Sequence, residues 1–211
     1  MLFSVANESS SSCKRFALVN DSHLEPAETT STQHIIILLG SAGSGKSVQS
    51  QLLSSQDGWT WLSTGKLLRD STDASLQDRL NRGDLIEDEV VVGVLSQAMG
   101  SLTSTKTFII DGFPRTAAQA GWILEWSKNT NRPIGRVVHL VASREVALAR
   151  LMSRQRADDT EQAINARFEE YDTVIRPVLS DFAEAGVPIS EISADGTVEE
   201  VHEEILRQLK G

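Results

Sequence analysis

Apolar positions after residue 33 recur in two alternating patterns. Short runs rich in β-branched and large apolar residues predict buried strands, and the segments between them carry apolar residues in steps of three and four, which indicates amphipathic helices. The strand-like runs are Ile35–Leu39, Thr60–Leu62, Thr107–Ile110, Val137–Val141 and Val187–Ile192. Because strands that alternate with helices are typical of a parallel sheet covered by helices, the pattern predicts an α/β fold.

The helical spacing is clearest in three stretches of the chain. They run from Val90 to Ala98, from Ile164 to Phe182 and from Val198 to Leu209. In each stretch the apolar residues would share one helix face and pack on the sheet. The chain shows no internal repeat, and its length suits one domain plus a tail.

Residues 1–33 lack this pattern. They are rich in Ser and Thr, including Ser9–Ser12, and show no sustained apolar period. Such a composition is typical of a disordered N-terminal extension. The alternative is an organelle-targeting peptide, which the basic residues of this segment favour, whereas acidic residues such as Glu8 and Asp21 argue against it.

Composition and charge narrow the classes of function. The net charge is −9 without a long basic stretch, which disfavours nucleic acid as a partner. The longest apolar run, Ile35–Leu39, is far shorter than the roughly 20 residues that a membrane-spanning helix needs, so no membrane partner is expected. A single cysteine, Cys13, argues against a disulfide framework and a zinc site, and a reducing, cytoplasmic compartment fits best.

The first chemical motif directly follows the first predicted strand. Residues Gly40 to Ser47 read G-S-A-G-S-G-K-S, which fits the phosphate-loop pattern, and a helix-compatible stretch follows. Glycines let successive backbone N–H groups point at phosphate oxygens, and the helix N-terminus adds partial positive charge. Lys46 can supply a full positive charge, and Ser47 a hydroxyl for Mg²⁺. The motif predicts triphosphate binding but leaves GTPases, ATPases and small-molecule kinases open.

A second motif, Asp111-Gly-Phe-Pro-Arg115, follows the predicted strand Thr107–Ile110. An aspartate at a strand end can hold the water shell of a metal ion beside the phosphate loop. Gly112 and Pro114 predict a turn that aims Arg115 across the carboxyl edge of the sheet. The alternative is a tight turn whose arginine caps a carbonyl group.

The helix after this motif carries a candidate base-reading residue. Gln119 lies one helical turn after Arg115 and on the same face. An amide can pair with an adenine edge through one acceptor and one donor. Two upstream blocks, Ser63–Arg69 and Gly83–Val90, each lead from a loop into a helix.

In this order the blocks resemble the adenylate kinase family of nucleoside monophosphate kinases. The resemblance runs from about His34 to Gly211 and includes the arginine-rich segment Arg150–Arg167. It implies a phosphate-loop three-layer sandwich around a central parallel five-stranded sheet, with a helical flap at about 63–92 and a short lid at about 153–159. Residues 34–211 would then form a nucleoside monophosphate kinase domain, a Mg²⁺-dependent transferase that acts as a monomer.

The resemblance implies two nucleotide sites. The residues implied for ATP are Gly43, Ser44, Gly45, Lys46, Ser47, Val48, Arg150, Arg154 and Gly196. The residues implied for AMP are Thr64, Arg69, Asp84, Leu85, Ile86, Gly112, Phe113, Pro114, Arg115, Gln119, Arg156 and Arg167. Gln119 would read adenine, and Arg69 and Arg115 would hold the α-phosphate. Ser47 and Asp111 would organise Mg²⁺, through water.

Four arginines fall close together after the fourth predicted strand. Converging guanidinium groups in an acidic protein indicate an anion site, and the alternative is salt bridging on solvated helices. The resemblance favours the anion site: Arg154, Arg156 and Arg167 would clamp phosphates, and Arg150 would stack on the ATP base. The implied catalytic set is Lys46, Asp111, Arg115, Arg154, Arg156 and Arg167, with Asp158 and Asp159 orienting the lid arginines. No zinc is expected in so short a lid.

The chain departs from the family pattern at a few positions. Ala42 stands where proline is usual, Ser47-Val48 replaces Gly-Thr, and Lys66 replaces an aspartate. None of these changes removes a phosphate-binding group. The function expected is reversible phosphoryl transfer from ATP to AMP, and the alternatives are a UMP/CMP kinase of the same fold and a non-catalytic sensor of ATP and AMP.

Overall fold

The structure is a computed structural model that describes residues 34–82, 86–153 and 161–210. The predicted N-terminal extension and most of the predicted lid lie outside these residues. Within them the chain forms a parallel sheet with helices on both faces, which confirms the predicted α/β fold.

The sheet has five strands, and each predicted strand run overlaps one of them. They are β1 (His34–Gly40), β2 (Trp59–Ser63), β3 (Thr107–Asp111), β4 (Ile134–Val141) and β5 (Ile189–Ser193). All neighbours pair in parallel, in the order β2-β3-β1-β4-β5. Since β1 lies between β3 and β4, the carboxyl ends of these three strands meet at one edge, where open parallel sheets bind ligands.

Helices follow the strands in the order that the sequence predicts. They are α1 (Lys46–Leu53), α2 (Thr64–Arg69), α3 (Ala74–Arg82), α4 (Asp88–Ser101), α5 (Ala117–Asn129), α6 (Arg144–Ser153), α7 (Glu161–Glu170), α8 (Val178–Glu184) and α9 (Val198–Lys210). Of the helices in the described ranges, none is both long and apolar enough to cross a membrane.

Alternate residues of β1 belong to the two apolar layers of the protein. Ile35 and Ile37 pack in a buried cluster with residues of α4, α5 and α8. Ile36 and Leu38 pack in a second cluster with residues of α1 and α9. Burying each such side chain contributes about 1.5–3 kcal/mol, so β1 stabilises both layers at once. The arrangement is the predicted three-layer sandwich.

The long apolar pattern from Ile164 to Phe182 forms α7, a π-helical turn at Tyr171–Ile175, and α8. In the turn, the amide of Arg176 donates to the carbonyl oxygen of Tyr171 at 2.8 Å. Pro177 has no N–H, and in a regular helix its ring would meet the carbonyl of the preceding turn. The wider π turn avoids that clash and places Tyr171 and Ile175 at the carboxyl edge of the sheet.

Candidate active site

The phosphate loop between β1 and α1 is shaped by two close backbone approaches. Gly43 has a φ of 81°, and a Cβ there would lie 2.5 Å from the carbonyl oxygen of Ala147 in α6. A Cβ at Gly40 would lie 2.4 Å from the carbonyl oxygen of Leu140 in β4. Both positions therefore need glycine, and the loop is held against α6 and β4.

Lys46 is the first residue of α1, and its side chain extends back across the phosphate loop. Its Nζ donates to the carbonyl oxygens of Gly40 and Ser41, each at 2.7 Å. The same side chain lines the cleft at the carboxyl edge of the sheet. The loop's own carbonyls thus hold a full positive charge at the mouth of the phosphate cradle.

Ser47 and Asp111 meet beside the loop. The Ser47 hydroxyl donates to Oδ2 of Asp111 at 2.6 Å, and Asp111 is buried at the end of β3. A hydroxyl and a carboxylate are oxygen ligands, which Mg²⁺ prefers, and Mg²⁺ usually keeps several waters and binds substrate phosphates as well. Within the described ranges, no three His, Cys, Asp or Glu side chains cluster as a metal site. The pair therefore suits a metal that arrives with a nucleotide.

The turn after β3 is tied to α2. Thr64, the first residue of α2, donates its hydroxyl to the carbonyl oxygen of Gly112 at 2.9 Å. Phe113 is fully buried and packs edge-to-face on Trp122, with ring centroids 5.9 Å apart. The Phe113 side chain therefore belongs to the core and anchors the turn, while its neighbours Gly112 and Pro114 line the cleft.

Three of the predicted cations line one cleft. Lys46, Arg115 and Arg167 face it together with Gly40, Gly112 and Pro114. Arg115 is half exposed; its Nε donates to the carbonyl oxygen of Gly112 at 3.2 Å, and its Nη1 lies 3.8 Å from Oε1 of Glu170. The structure thus brings residues of β1, the β3 turn and α7 to one anion-accepting surface.

A second group of predicted residues lies between α6 and α9. Arg150 donates from Nη1 to the carbonyl oxygen of Ala194 at 2.7 Å and from Nη2 to that of Gly196 at 3.1 Å. Arg150 and Gly196, both implied at the ATP base, are therefore in direct contact. Arg150 is tied to a backbone loop rather than to an acidic side chain of its own helix.

The other predicted residues differ in their surroundings. Ser44 is buried, the Val48 side chain is 47% exposed on α1, and Ile86 packs partly against the core. Arg69 is exposed at the end of α2, with Nη1 beside Gly65. Six predicted residues lie outside the described ranges: Asp84, Leu85, Arg154, Arg156, Asp158 and Asp159.

Gln119 is held at the N-terminus of α5, with only 3% of its surface exposed. The backbone N–H of Gln119 donates to the Thr116 hydroxyl at 3.2 Å. The side-chain Oε1 of Gln119 accepts from the backbone N–H of Arg115 at 2.8 Å. The first of these bonds is one half of a capping box, whereas the second goes to the residue before the N-cap, Arg115, instead of to Thr116 itself. Nε2 of Gln119 donates to Oδ1 of Asp88 in α4 at 2.7 Å.

Sequence reasoning missed Asp88, the cleft-lining Tyr171 and Glu170, and the buried His139 that is hydrogen-bonded to Tyr171. Tyr171 lines the cleft, and its hydroxyl is hydrogen-bonded to Nε2 of the buried His139. Nδ1 of His139 lies 3.1 Å from the Glu191 carboxylate. Burial lowers the pKa of His139 below its usual 6.5, against the opposite influence of Glu191, and burial raises the pKa of Tyr171. Glu170 is the ion-pair partner of Arg115.

The fold and the cleft together define a class of protein. A glycine-rich loop after the central strand of a parallel sheet, with a carboxylate at the end of the neighbouring strand, is characteristic of phosphate-loop α/β proteins that bind nucleotide phosphates. Comparison with known proteins narrows this class to one family.

A model of the family described as adenylate kinase matches residues 38–187. An adenylate kinase of Synechococcus sp. (strain CC9902) is 35% identical over 180 residues, which cover 82% of this chain and 97% of the relative. An adenylate kinase of Prochlorococcus marinus (strain MIT 9301) is 32% identical over the same shares of the two chains. The chain belongs to the adenylate kinase family, which confirms the resemblance, and it is a nucleoside monophosphate kinase.

Proposed function

We propose that the chain transfers the terminal phosphoryl group of ATP to AMP, reversibly and with Mg²⁺, to give ADP from both. The observation that carries the proposal is the convergence of Lys46, Arg115 and Arg167 on one cleft beside the Ser47–Asp111 pair. Phosphoryl transfer depends mainly on positioning and on stabilising the charge that spreads over the equatorial oxygens. Cations fixed on three different elements suit that task.

The donor side of this proposal is the phosphate loop. Gly43, Ser44, Gly45 and Val48 surround the ATP phosphates with backbone N–H groups, and Lys46 moves its ammonium from carbonyl oxygens to phosphate oxygens when ATP binds. Arg150 and the backbone of Gly196 contact the ATP base. The contact already present between these two residues supports a common role.

The metal would be held by Ser47 and Asp111. When bound, Mg²⁺ would neutralise negative charge on the phosphate oxygens of ATP. The Ser47 hydroxyl and the buried Asp111 carboxylate lie 2.6 Å apart, so both oxygens are in place before a nucleotide arrives. Asp111 would act largely through water.

The acceptor side lies around the β3 turn. Arg69 and Arg115 would grip the α-phosphate of AMP, Thr64 and the backbone from Gly112 to Pro114 would shape its pocket, and Gln119 would read adenine. The bond from Thr64 to Gly112 supports a shared site, because it fixes α2 to the turn that carries Arg115. The remaining residues proposed for AMP are Asp84, Leu85, Ile86, Arg156 and Arg167.

The reaction needs no general base, because the attacking phosphate oxygen of AMP is already ionised. It does need the exclusion of water, which would otherwise hydrolyse ATP. We assign that task to a flap at about 63–92 and a lid at about 153–159 within a kinase domain of residues 34–211. Arg154 and Arg156 would clamp phosphates from the lid, with Asp158 and Asp159 as their partners. A monomer in the cytoplasm is the form proposed for the enzyme.

A coupled assay with Mg-ATP and each nucleoside monophosphate in turn tests the proposal. We expect a kcat/KM for AMP at least about tenfold above those for CMP, UMP and GMP, a ratio that one well-placed hydrogen-bonding group can supply. Higher activity with CMP or UMP would overturn the adenine assignment in favour of a pyrimidine kinase. Binding of ATP plus AMP without turnover would identify a sensor instead.

A further inference from the structure

The Gln119 amide is held by two partners of opposite kind. A backbone N–H, that of Arg115, can only donate, and it faces Oε1 at 2.8 Å. A carboxylate, that of Asp88, can only accept, and its Oδ1 faces Nε2 at 2.7 Å. Only one of the two amide orientations satisfies both partners, since the flipped amide would set N–H against N–H and oxygen against oxygen.

Each end of the amide keeps one hydrogen-bonding capacity. Oε1 has a second lone pair and Nε2 a second hydrogen, so Gln119 offers one acceptor and one donor in a fixed spatial order. Adenine presents an exocyclic amino donor next to a ring-nitrogen acceptor, which matches that order. Hypoxanthine and guanine present a carbonyl acceptor in place of the amino group, which would match the flipped amide.

We infer that Asp88 is a positioning residue that fixes the Gln119 amide so that the acceptor site favours adenine over a purine with a carbonyl group. This inference rests on the proposed role of Gln119 in the acceptor site. Asp88 lies in the first turn of α4, 31 residues before Gln119, and its Oδ2 is itself held by the Thr116 hydroxyl at 2.7 Å. The carboxylate thus joins the start of α4 to the cap of α5.

An ordinary helix-end role would also place an aspartate here, because acidic side chains stabilise helix N-termini. The two roles differ in what they require. A helix-end role needs negative charge, whereas the positioning role needs an acceptor at the place of Oδ1. Asp88→Asn removes the charge but keeps an acceptor for Gln119 and a donor for Thr116, and Asp88→Ala removes both.

The test measures kcat and KM for AMP and IMP with saturating Mg-ATP, and the KM for ATP with saturating AMP, for the full chain and its variants. Asp88→Ala should raise the KM for AMP and lower the AMP-to-IMP ratio of specificity constants by about tenfold, with the KM for ATP unchanged. Asp88→Asn should keep that ratio within about threefold of the wild type. Glu89→Gln, which removes an exposed charge from the same turn of α4, should leave the KM for AMP and the AMP-to-IMP ratio of specificity constants unchanged.

Two results would overturn the inference. One is an unchanged ratio in Asp88→Ala, and the other is an equal loss in the Ala and Asn variants, which would indicate a helix-end charge. If Asp88→Ala does not fold, Asp88→Ser takes its place, because serine is favoured at helix starts but is too short to reach Gln119. Gln119→Ala is the reference: an unchanged ratio there refutes the base-reading role of Gln119 itself, whereas a loss there with none in Asp88→Ala refutes only Asp88.

Discussion

The proposed donor and acceptor sites are built over different distances along the chain. The phosphate loop is a run of consecutive residues, and Lys46 reaches carbonyls only five and six residues away. On the acceptor side, Gln119 contacts Asp88 across 31 positions, and Thr64 contacts Gly112 across 48. The proposed donor site is therefore encoded by local sequence, whereas the contacts of the proposed acceptor site form only once α2, α4 and α5 have packed together.

The largest expected effect lies on the donor side. Lys46→Ala should lower kcat with AMP by about 10²–10³, or roughly 3–4 kcal/mol of transition-state stabilisation, because it removes a cation from the transferred phosphate. Lys128→Ala, on the exposed end of α5, is the matched control and should retain wild-type turnover. Steady-state kinetics decide, and a Lys46→Ala variant within about threefold of the wild type would contradict the role assigned to Lys46.

A smaller effect separates two glycines of the same loop. Gly43 and Gly45 have φ values of 81° and 91°, so alanine is strained at both. At Gly43 the added Cβ would also meet the Ala147 backbone, whereas at Gly45 nothing lies within 4 Å. Gly43→Ala should therefore lower the free energy of unfolding by about 1–3 kcal/mol more than Gly45→Ala. Urea unfolding measures the difference, and equal losses would show that α6 does not hold the loop.

The smallest effect concerns His139, a buried residue that is hydrogen-bonded to Tyr171 in the cleft lining. Burial lowers the pKa of His139 below 6.5, and Arg176 and Lys46 act in the same direction, whereas Glu191 opposes them. The unfolded chain takes up this proton near pH 6.5, but the folded chain does so only at lower pH. The contribution of neutral His139 to the free energy of unfolding is therefore full above about pH 6.5, and it is lost as the pH falls through the lowered pKa of the folded chain.

His139→Gln removes this titration while keeping a polar side chain beside Tyr171. Between pH 7 and about pH 5 the melting temperature of the wild type should fall by more than that of the variant. Parallel falls in the two proteins would mean that the pKa of His139 is not lowered on folding.

The same contrast explains what the sequence could predict. The fold class, the five strands and the family are confirmed, because they follow from apolar periodicity and from motifs that are contiguous in the chain. The residue roles at the two sites stay predictions. Asp88 was missed because its partners, Thr116 and Gln119, come next to it only through the packing of α4 on α5.

Two other features left signals that periodicity alone could not interpret. Tyr171 fits the apolar stripe of a helix, yet it lies at the cleft, at the start of the π turn that precedes Pro177. Thr116 and Gln119 have the spacing of a capping box, which predicts the cap on α5 but not the contact with Asp88. A proline in a helical pattern predicts an irregular turn, and a Thr–Gln pair at this spacing predicts a helix start. Neither pattern predicts which residues of other elements are contacted there.

The KM values of Gln119→Ala test the acceptor side most directly. When CMP replaces AMP in the wild type, the buried Gln119 amide is left half paired, which costs about 1–3 kcal/mol. Removing Gln119 removes this penalty, so Gln119→Ala should reduce the preference for AMP over CMP by roughly 5–150-fold. The KM for AMP should rise while the KM for ATP stays unchanged, because Gln119 is proposed for the acceptor site alone. An unchanged ratio of specificity constants for AMP and CMP would contradict the account, and would leave Gln119 with the helix cap as its only role.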